Sequence, residues 1–592
     1  MEQKNLLLAV VISVMILLAY QVLYELPRLR QQAEIAQQQA VIGQATAPAA
    51  TAPTATPDAA TPDAATAPDA ASVPEATSVA PGAVAQPASR AAALALGPRI
   101  AIKTPAIVGS IALTGARIDD VTLTQYRVDL KPASPAVVLF SPPGGPEPYF
   151  AEFGWVPAPG VEVAVPTSTT VWQADRAVLT PDQPVTLTWD NGQGLRFVRR
   201  IAVDDDYMFT LTRRVENAGA TAVTLYPYGL VTRHGAPPTL GYWILHEGLL
   251  GVLEGTLTEI DYDELSDEGS REVTSTGGWI GITDKYWLAA LVPTQDAPFV
   301  ARFTHTAADG GDRFQVDVRH EALVVPAGGA TEVTDRLFAG AKVVRLIDDY
   351  RDALGITRFD LAVDWGWFWF LTKPLFQLLE FYFHLVGNFG VAILLLTVTI
   401  RIVLFPLANK SYQAMSKLKK LQPEMVKLRE RYGDDKARMQ QELMALYKRE
   451  KANPAAGCLP ILVQIPIFFA LYKTLFVTIE MRHTPFLGWI RDLSAPDPTT
   501  LFNLFGLIPW MPPSFLMIGI WPLAMGVTMW FQQKINPQPP DPTQAKIMMA
   551  LPVVFTFILA PFPAGLVIYW TWNNLLSIGQ QWLIMKRMGV SA

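Results

Sequence analysis

The sequence predicts a multi-span α-helical membrane protein that carries a large β-sandwich outside the bilayer. Three observations predict it. Half of the 592 residues are hydrophobic and only 17% are charged, an imbalance unusual for a soluble protein. The long apolar runs are gathered near the N-terminus and after residue 361. The region between them is built of short alternating segments punctuated by Pro and Gly, the period-two signature of strands. The net charge of -6 is mild, and its signs are segregated along the chain. A single cysteine, Cys458, excludes a disulfide framework; it stands at the edge of an apolar run and belongs to no metal-ligand cluster. No metal, no cofactor and no DNA partner are expected.

Taken in order, residues 1–24 hold Lys4 and then an apolar run over 6–23. The run is long for a signal peptide, and Tyr24-Glu-Leu-Pro-Arg28 follows in place of a small-residue cleavage site. An uncleaved helix of roughly 18–20 residues, enough to span the hydrocarbon core, is therefore expected. Residues 25–97 are rich in Ala, Pro, Thr and Gln and nearly devoid of large apolar side chains, so no core can offset the entropy of ordering them. They are expected to form a disordered tether.

Residues 98–352 carry the β pattern. Val185-Thr-Leu-Thr-Trp189, Asn191-Gly192 and Leu195-Arg-Phe-Val198 spell strand, turn, strand, and Tyr207, Phe209, Leu211 and Arg213 repeat the period of two. A short helix is expected near 343–354. The histidines here (His234, His246, His305, His320) are scattered, and His246-Glu247 lacks a second His at zinc-protease spacing, so structural roles are expected for them.

From residue 361 the composition becomes that of a membrane. Trp365, Trp367, Phe368, Trp369 and Phe370 crowd before an apolar stretch, as headgroup-level aromatics do. With Lys373-Pro374 inside it, 361–380 reads as an interfacial helix. Five spans follow within 383–587, over 383–407, 458–480, 515–532, 547–562 and 564–585. Residues 410–451 hold twelve Lys and Arg against two in 481–514, which places 410–451 in the cytoplasm and 481–514 outside. Counting back, the β region is outside and the N-terminus inside; Arg28 and Arg30 oppose this locally. Residues 411–452 read as two amphipathic helices packed as a hairpin. Met425, Leu428 and Tyr432 lie on the first stripe and Met439 and Leu443 on the second, with Gly433 and Asp434 or Asp435 at the turn. The hairpin is either a solvated structural element or a docking element whose methionines adapt to partners.

The span 383–407 contains Arg401, roughly 13 Å along the helix from the cytoplasmic edge at Lys410. A charge at that depth costs at least about 2.5–3.5 kcal/mol. The other C-terminal spans hold no carboxylate except Glu480 at an outer end, so no internal salt bridge is expected. Arg401 either snorkels to the cytoplasmic headgroups or faces a hydrated cavity. Thr397 lies one turn before it, Gln464 stands in the next span, and Asn573, Ser577, Gln580 and Gln581 share one face of the last span. These polar faces favour a water-filled groove in the inner half of the bilayer.

The residues that carry a family resemblance are now in view. They are Thr397-Val-Thr-Ile-Arg401-Ile-Val-Leu-Phe-Pro406, Leu421-Gln-Pro423-Glu, Gly433-Asp-Asp435-Lys, and Asn453-Pro-Ala-Ala-Gly-Cys458-Leu-Pro460. Gln464-Ile-Pro466-Ile-Phe468 and Pro563-Ala-Gly565-Leu-Val-Ile-Tyr569-Trp-Thr-Trp-Asn573-Asn complete them. In order and spacing from 361 to 587 the chain resembles the YidC/Oxa/Alb family of membrane protein insertases. Lys103-Thr104 and Gly277-Gly278-Trp279 resemble pieces of that family's outer domain more weakly.

The resemblance implies six transmembrane helices with a five-helix insertase core and a periplasmic β-supersandwich. It implies a groove open to cytoplasm and lipid, with Arg401 as its arginine, Thr397 beside it, and Tyr569 and Trp570 in its wall. Trp570 replaces a residue that is often Tyr in the family, so no tyrosine role carries over there. It further implies a bacterial inner-membrane insertase and chaperone, not an enzyme. Nascent membrane proteins, the lipid bilayer, SecYEG, SecDF and the ribosome are its expected partners, although the tail ending at Ala592 lacks a long basic extension. The rival readings are a solute transporter or channel, which the lack of an inverted repeat disfavours, and an enzyme on the outer sandwich, for which no nucleophile–base constellation is visible.

Overall fold

The structure, a computed structural model, describes residues 73–74 and 89–588 apart from 242–243, 309–310, 433–434, 451–458, 507, 509, 511, 514–515 and 537–541. The span expected over 1–24, most of the tether, the turn at Gly433-Asp434 and the Asn453–Cys458 motif lie outside the described residues.

Two pieces of the expected tether are ordered against the β region. Ser89 caps a short helix, Arg90–Leu94, by accepting from the Ala92 N–H at 3.2 Å, and the Arg90 guanidinium reaches the Asp120 carboxylate. Val73 is buried among Phe150, Tyr228 and Leu230. A stretch that cannot build a core of its own can still dock a lone apolar side chain on a core that the neighbouring strands supply.

Residues 99–341 form an eleven-stranded and a nine-stranded sheet joined by one continuous apolar core. The expected hairpin is present. Strand Val185–Asp190 pairs antiparallel with Leu195–Val203, and the Asn191 side chain accepts from the Gln193 and Leu195 N–H groups across the turn. In the next strand, Met208–Asn217, Phe209, Leu211, Arg213 and Val215 are all buried. The period of two thus aims an arginine into the core along with the apolar residues. Gly278 shows why a residue without Cβ stands before the buried Trp279: its φ is +104°, and a Cβ there would meet the Val252 carbonyl. The expected short helix is Val344–Leu354, with Ile347 and Tyr350 turned into the sandwich.

Among the described residues, seven α-helices carry the C-terminal region. They are α1 (Trp369–Val386), α2 (Phe389–Tyr432), α3 (Lys436–Arg449), α4 (Leu459–Val477), α5 (Ile520–Ile535), α6 (Pro542–Leu559) and α7 (Ala564–Arg587). The boundaries depart from expectation at two places. The helix expected over 361–380 runs instead from Trp369 to Val386, closed by Gly387 in the left-handed conformation. The first core helix therefore starts at Phe389 rather than 383, with the Asn388 side chain accepting from the Val391 N–H at 3.0 Å. Gly-Asn is a stop and a start in two residues, and the apolar run on either side hid it.

The span and the first hairpin helix, expected as separate elements, are one helix of 44 residues, about 66 Å long. Pro406 and Pro423 lie inside it; each removes one backbone donor, and no glycine stands near either one to let the chain turn away. The upper part of α2 is apolar enough to cross a membrane, with a mean hydropathy of 2.4 over 18 residues. Shorter apolar stretches, Val463–Val477 and Ala545–Leu559, lie in α4 and α6.

Candidate functional site

α2 and α7 lie side by side and run in the same direction. Arg401 meets Asn573 and Ser577, and further along Ala408 and Tyr412 pack against Ile584. This polar contact sits inside an apolar element because α7 changes character along its length. Leu566, Val567 and Ile568 fill the bundle near its start, whereas 573, 577, 580 and 581 recur further on at helical spacing.

The Arg401 guanidinium, half-buried, donates from Nε to Asn573 Oδ1 at 2.9 Å, from Nη2 to the Asn573 carbonyl at 3.1 Å, and from Nη2 to the Ser577 hydroxyl. Its hydrogen-bond partners are an amide, a carbonyl and a hydroxyl; among the described residues no carboxylate forms an ion pair with it. Its Cα stands twelve residues into α2, about 18 Å from the helix start. Where α2 and α7 continue past it, the Gln580 Nε2, the Gln581 Oε1 and the Ser411 hydroxyl are buried without a protein partner. Polar atoms in that state normally bind water or ligand.

The remaining residues expected in the groove divide. Gln464 on α4 donates to the Tyr569 hydroxyl at 2.6 Å, bridging α4 to α7. Thr397 is buried and donates to the Ile393 carbonyl of its own helix at 2.7 Å. Trp570, one turn before the polar contact, packs edge-on against Phe468 and borders an apolar crevice with Met525, Leu559, Phe562, Leu566 and Val567. In the hairpin, Met425, Leu428 and Leu443 meet in one cluster with Leu421 and Leu446, so the seam is filled by the hairpin itself. Tyr432 and Met439 stand outside that cluster; the Arg438 guanidinium lies over the Tyr432 ring at 5.5 Å.

A second cation stands in an apolar helix. Lys473, near the C-terminal end of α4, pairs with Asp364 and donates to the Ile244 carbonyl. Asp364 also accepts from the His246 N–H at 3.2 Å, and Glu480 accepts from the Val344 N–H at 2.9 Å. These contacts bolt the helical region to the β region. A lone Lys in the apolar run 459–477 was the visible signal. Three of the four histidines of the β region meet carboxylates, His246 with Asp261, His305 with Asp312 and His320 with Asp335, and His234 packs against the Phe150 ring.

Two family models match the chain, that of the YidC periplasmic domain over residues 99–378 and that of the 60Kd inner membrane protein over 381–590. The chain belongs to the YidC family of membrane protein insertases. A membrane protein insertase YidC from Methylobacterium radiotolerans is 50% identical over 600 residues, all of this chain and 96% of its own length. One from Bradyrhizobium diazoefficiens is 50% identical over all of this chain and 97% of its length. One from Methylorubrum extorquens is 54% identical over 85% of this chain and 83% of its own. A solved structure of an active YidC insertase with its first transmembrane domain resolved aligns over 82% of this chain and 94% of its own, at 17% identity and a TM-score of 0.33, a likeness from which nothing is argued.

Proposed function

We propose that this YidC-family insertase moves the polar flank of a membrane protein past the bilayer along the α2–α7 face and releases its apolar segment sideways into lipid. The observation that carries the reading is the Arg401 guanidinium, held on Asn573 and Ser577 with no carboxylate among the described residues to neutralise it. The reading takes the spans as six, with α2, α4, α5, α6 and α7 crossing after the N-terminal one, the β domain periplasmic and the α2–α3 hairpin cytoplasmic. The twelve basic residues of 410–451 support that orientation.

The physical account is one of a lowered barrier. About 30 Å of hydrocarbon stands between a polar flank and the far side, and each unsatisfied polar group costs several kcal/mol there. A hydrated face shortens the dry distance. The unpartnered atoms of Gln580, Gln581 and Ser411 give water a foothold cytoplasmic of Arg401. Arg401 attracts an acidic residue in the flank, and the hydroxyl and amide that now bind it are neutral acceptors a carboxylate can displace. No nucleotide motif is present in the sequence. Partitioning of the apolar segment and the membrane potential drive the step, the latter by about 2.3 kcal/mol per charge per 100 mV. Cooperation with SecYEG and SecDF and transient ribosome contact belong to the same proposal, and co-purification from membranes tests them.

Reconstitution tests the core. Proteoliposomes containing the protein are expected to insert small one- and two-span substrates that empty liposomes do not. Arg401→Glu is expected to hurt substrates with acidic flanks most. Normal insertion into empty liposomes would remove the insertase reading, and equal impairment of all substrates would remove charge capture by Arg401.

A further inference from the structure

On the reading that α5 crosses the bilayer with residues 481–519 outside, we propose that the loop around Leu501–Gly506 is a wedge seated in the outer leaflet. Its occupant is phospholipid at the boundary of headgroup and acyl chain.

α5 has 16 residues, about 24 Å, against about 30 Å of hydrocarbon. With Lys534 at the inner headgroups, its outer end stops inside the leaflet, and the chain that enters it must lie there too. Composition agrees: from Pro498 through Gln533 there is no charged residue. Asp497, just before that stretch, is buried and fully engaged in capping. It accepts from the Trp489 indole N–H at 3.1 Å, the Thr499 N–H at 3.0 Å and the Trp521 N–H at 2.9 Å at the start of α5.

The loop then presents Leu501, Phe502, Leu504, Phe505, Ile508 and Trp510, all exposed. Leu504 and Phe505 are held at φ of +50° and +57°, a conformation that costs side-chain-bearing residues on the order of 1–3 kcal/mol each. That strain keeps both side chains outward, 51% and 47% exposed, instead of folded onto the bundle. The backbone meanwhile satisfies itself, as a segment leaving water must. Leu501 N–H donates to the Ile518 carbonyl at 3.2 Å, Phe505 N–H to Thr500 at 2.9 Å and Ile508 N–H to Asn503 at 3.0 Å. Val527 and Phe531 on α5 are exposed and apolar as well. The shortness of α5 and the uncharged run select lipid over a second copy of the chain, because a segment drawn into the leaflet by its helix meets acyl chains.

The test uses the full chain with Cys458→Ala, into which one cysteine is introduced at a time, labelled with an environment-sensitive dye, and reconstituted in phosphatidylcholine–phosphatidylglycerol vesicles. With Phe505→Cys, and independently Trp510→Cys, lipids carrying a nitroxide near the headgroup are expected to quench about half of the emission, and aqueous iodide little of it. Val527→Cys, on the exposed face of α5, reports the spanning reading itself through quenching by a nitroxide near the bilayer centre. Iodide quenching at residue 505 with residue 527 still quenched by lipid overturns the wedge alone. Protection of 505 from both quenchers means a protein covers the loop and overturns it too. Failure at residue 527 as well overturns the spanning reading and the wedge with it.

Discussion

In the β-sandwich, the Arg213 side chain is 1% exposed. It donates to the carbonyls of Gly154 and Tyr228 on the facing sheet and to the Asp335 carboxylate, which His320 also engages at 2.8 Å. Burial by itself would raise the Asp335 carboxyl, but His320 and Arg213 outweigh it and hold the group below its ordinary range. In the helical region, Arg401 is half-buried and rests on neutral acceptors alone. Both cations have left bulk water. One is neutralised inside a closed network that pins two sheets together. The other carries its charge on neutral acceptors, with no carboxylate paired to it among the described residues. The contrast lies in what surrounds each arginine, not in its depth: the sandwich supplies a counter-ion from its own strands, and the helices do not.

The largest effect expected from this contrast is in the sandwich. Arg213→Met leaves Asp335 buried with half of its compensation gone, and is expected to cost about 3–5 kcal/mol of stability. Urea unfolding of the full chain in detergent, followed by tryptophan fluorescence, checks it. Adding Asp335→Leu should restore most of the loss, and no recovery would mean the pair is not the unit.

Next comes a pH effect in the same region. Burial, partly offset by Arg302, pushes Asp317 up to about 6 from its ordinary 3.8. A carboxyl raised on folding adds stability below about pH 4 that is lost as pH rises through 6. The stability of the natural chain relative to Asp317→Asn should therefore fall by up to about 3 kcal/mol between pH 4 and pH 6. A flat difference over that range would show Asp317 ionised throughout.

The groove cation should respond to charge more than to shape. Arg401→Gln is expected to lower insertion of an acidic-flank substrate about tenfold, or roughly 1.4 kcal/mol, with unchanged unfolding behaviour. Arg401→Lys should stay within about threefold of the natural protein, because a point charge suffices to attract a carboxylate. If the lysine variant is as poor as the glutamine variant, the fork geometry rather than the charge matters. The smallest effect is expected for Asn573→Ala, about two- to threefold, since Arg401 keeps the Ser577 hydroxyl and the residue-573 carbonyl.

Much of this was legible in order along the chain. The hairpin at 185–203, the inward face of Phe209, Leu211 and Arg213, and the polar face 573–577–581 are consequences of period, and period is a local property. The Gly387-Asn388 break and the unbroken course of α2 through Pro406 were not, because a stop signal and a proline each act only in the context of what the adjacent turns pack against. Nor was the docking of Val73, whose partners are some eighty to one hundred and fifty residues away.

By itself the sequence determined that an arginine lies in an apolar helix with no acidic residue on neighbouring spans to meet it, because both facts are statements of composition. Only the tertiary structure decided which neutral groups receive that arginine, that Trp570 turns to an apolar crevice, and that Lys473 is answered by Asp364 from outside the spans. A charge buried in a low-dielectric medium is governed by whatever lies within a few ångströms of it, and those neighbours come from distant parts of the chain that only folding brings together.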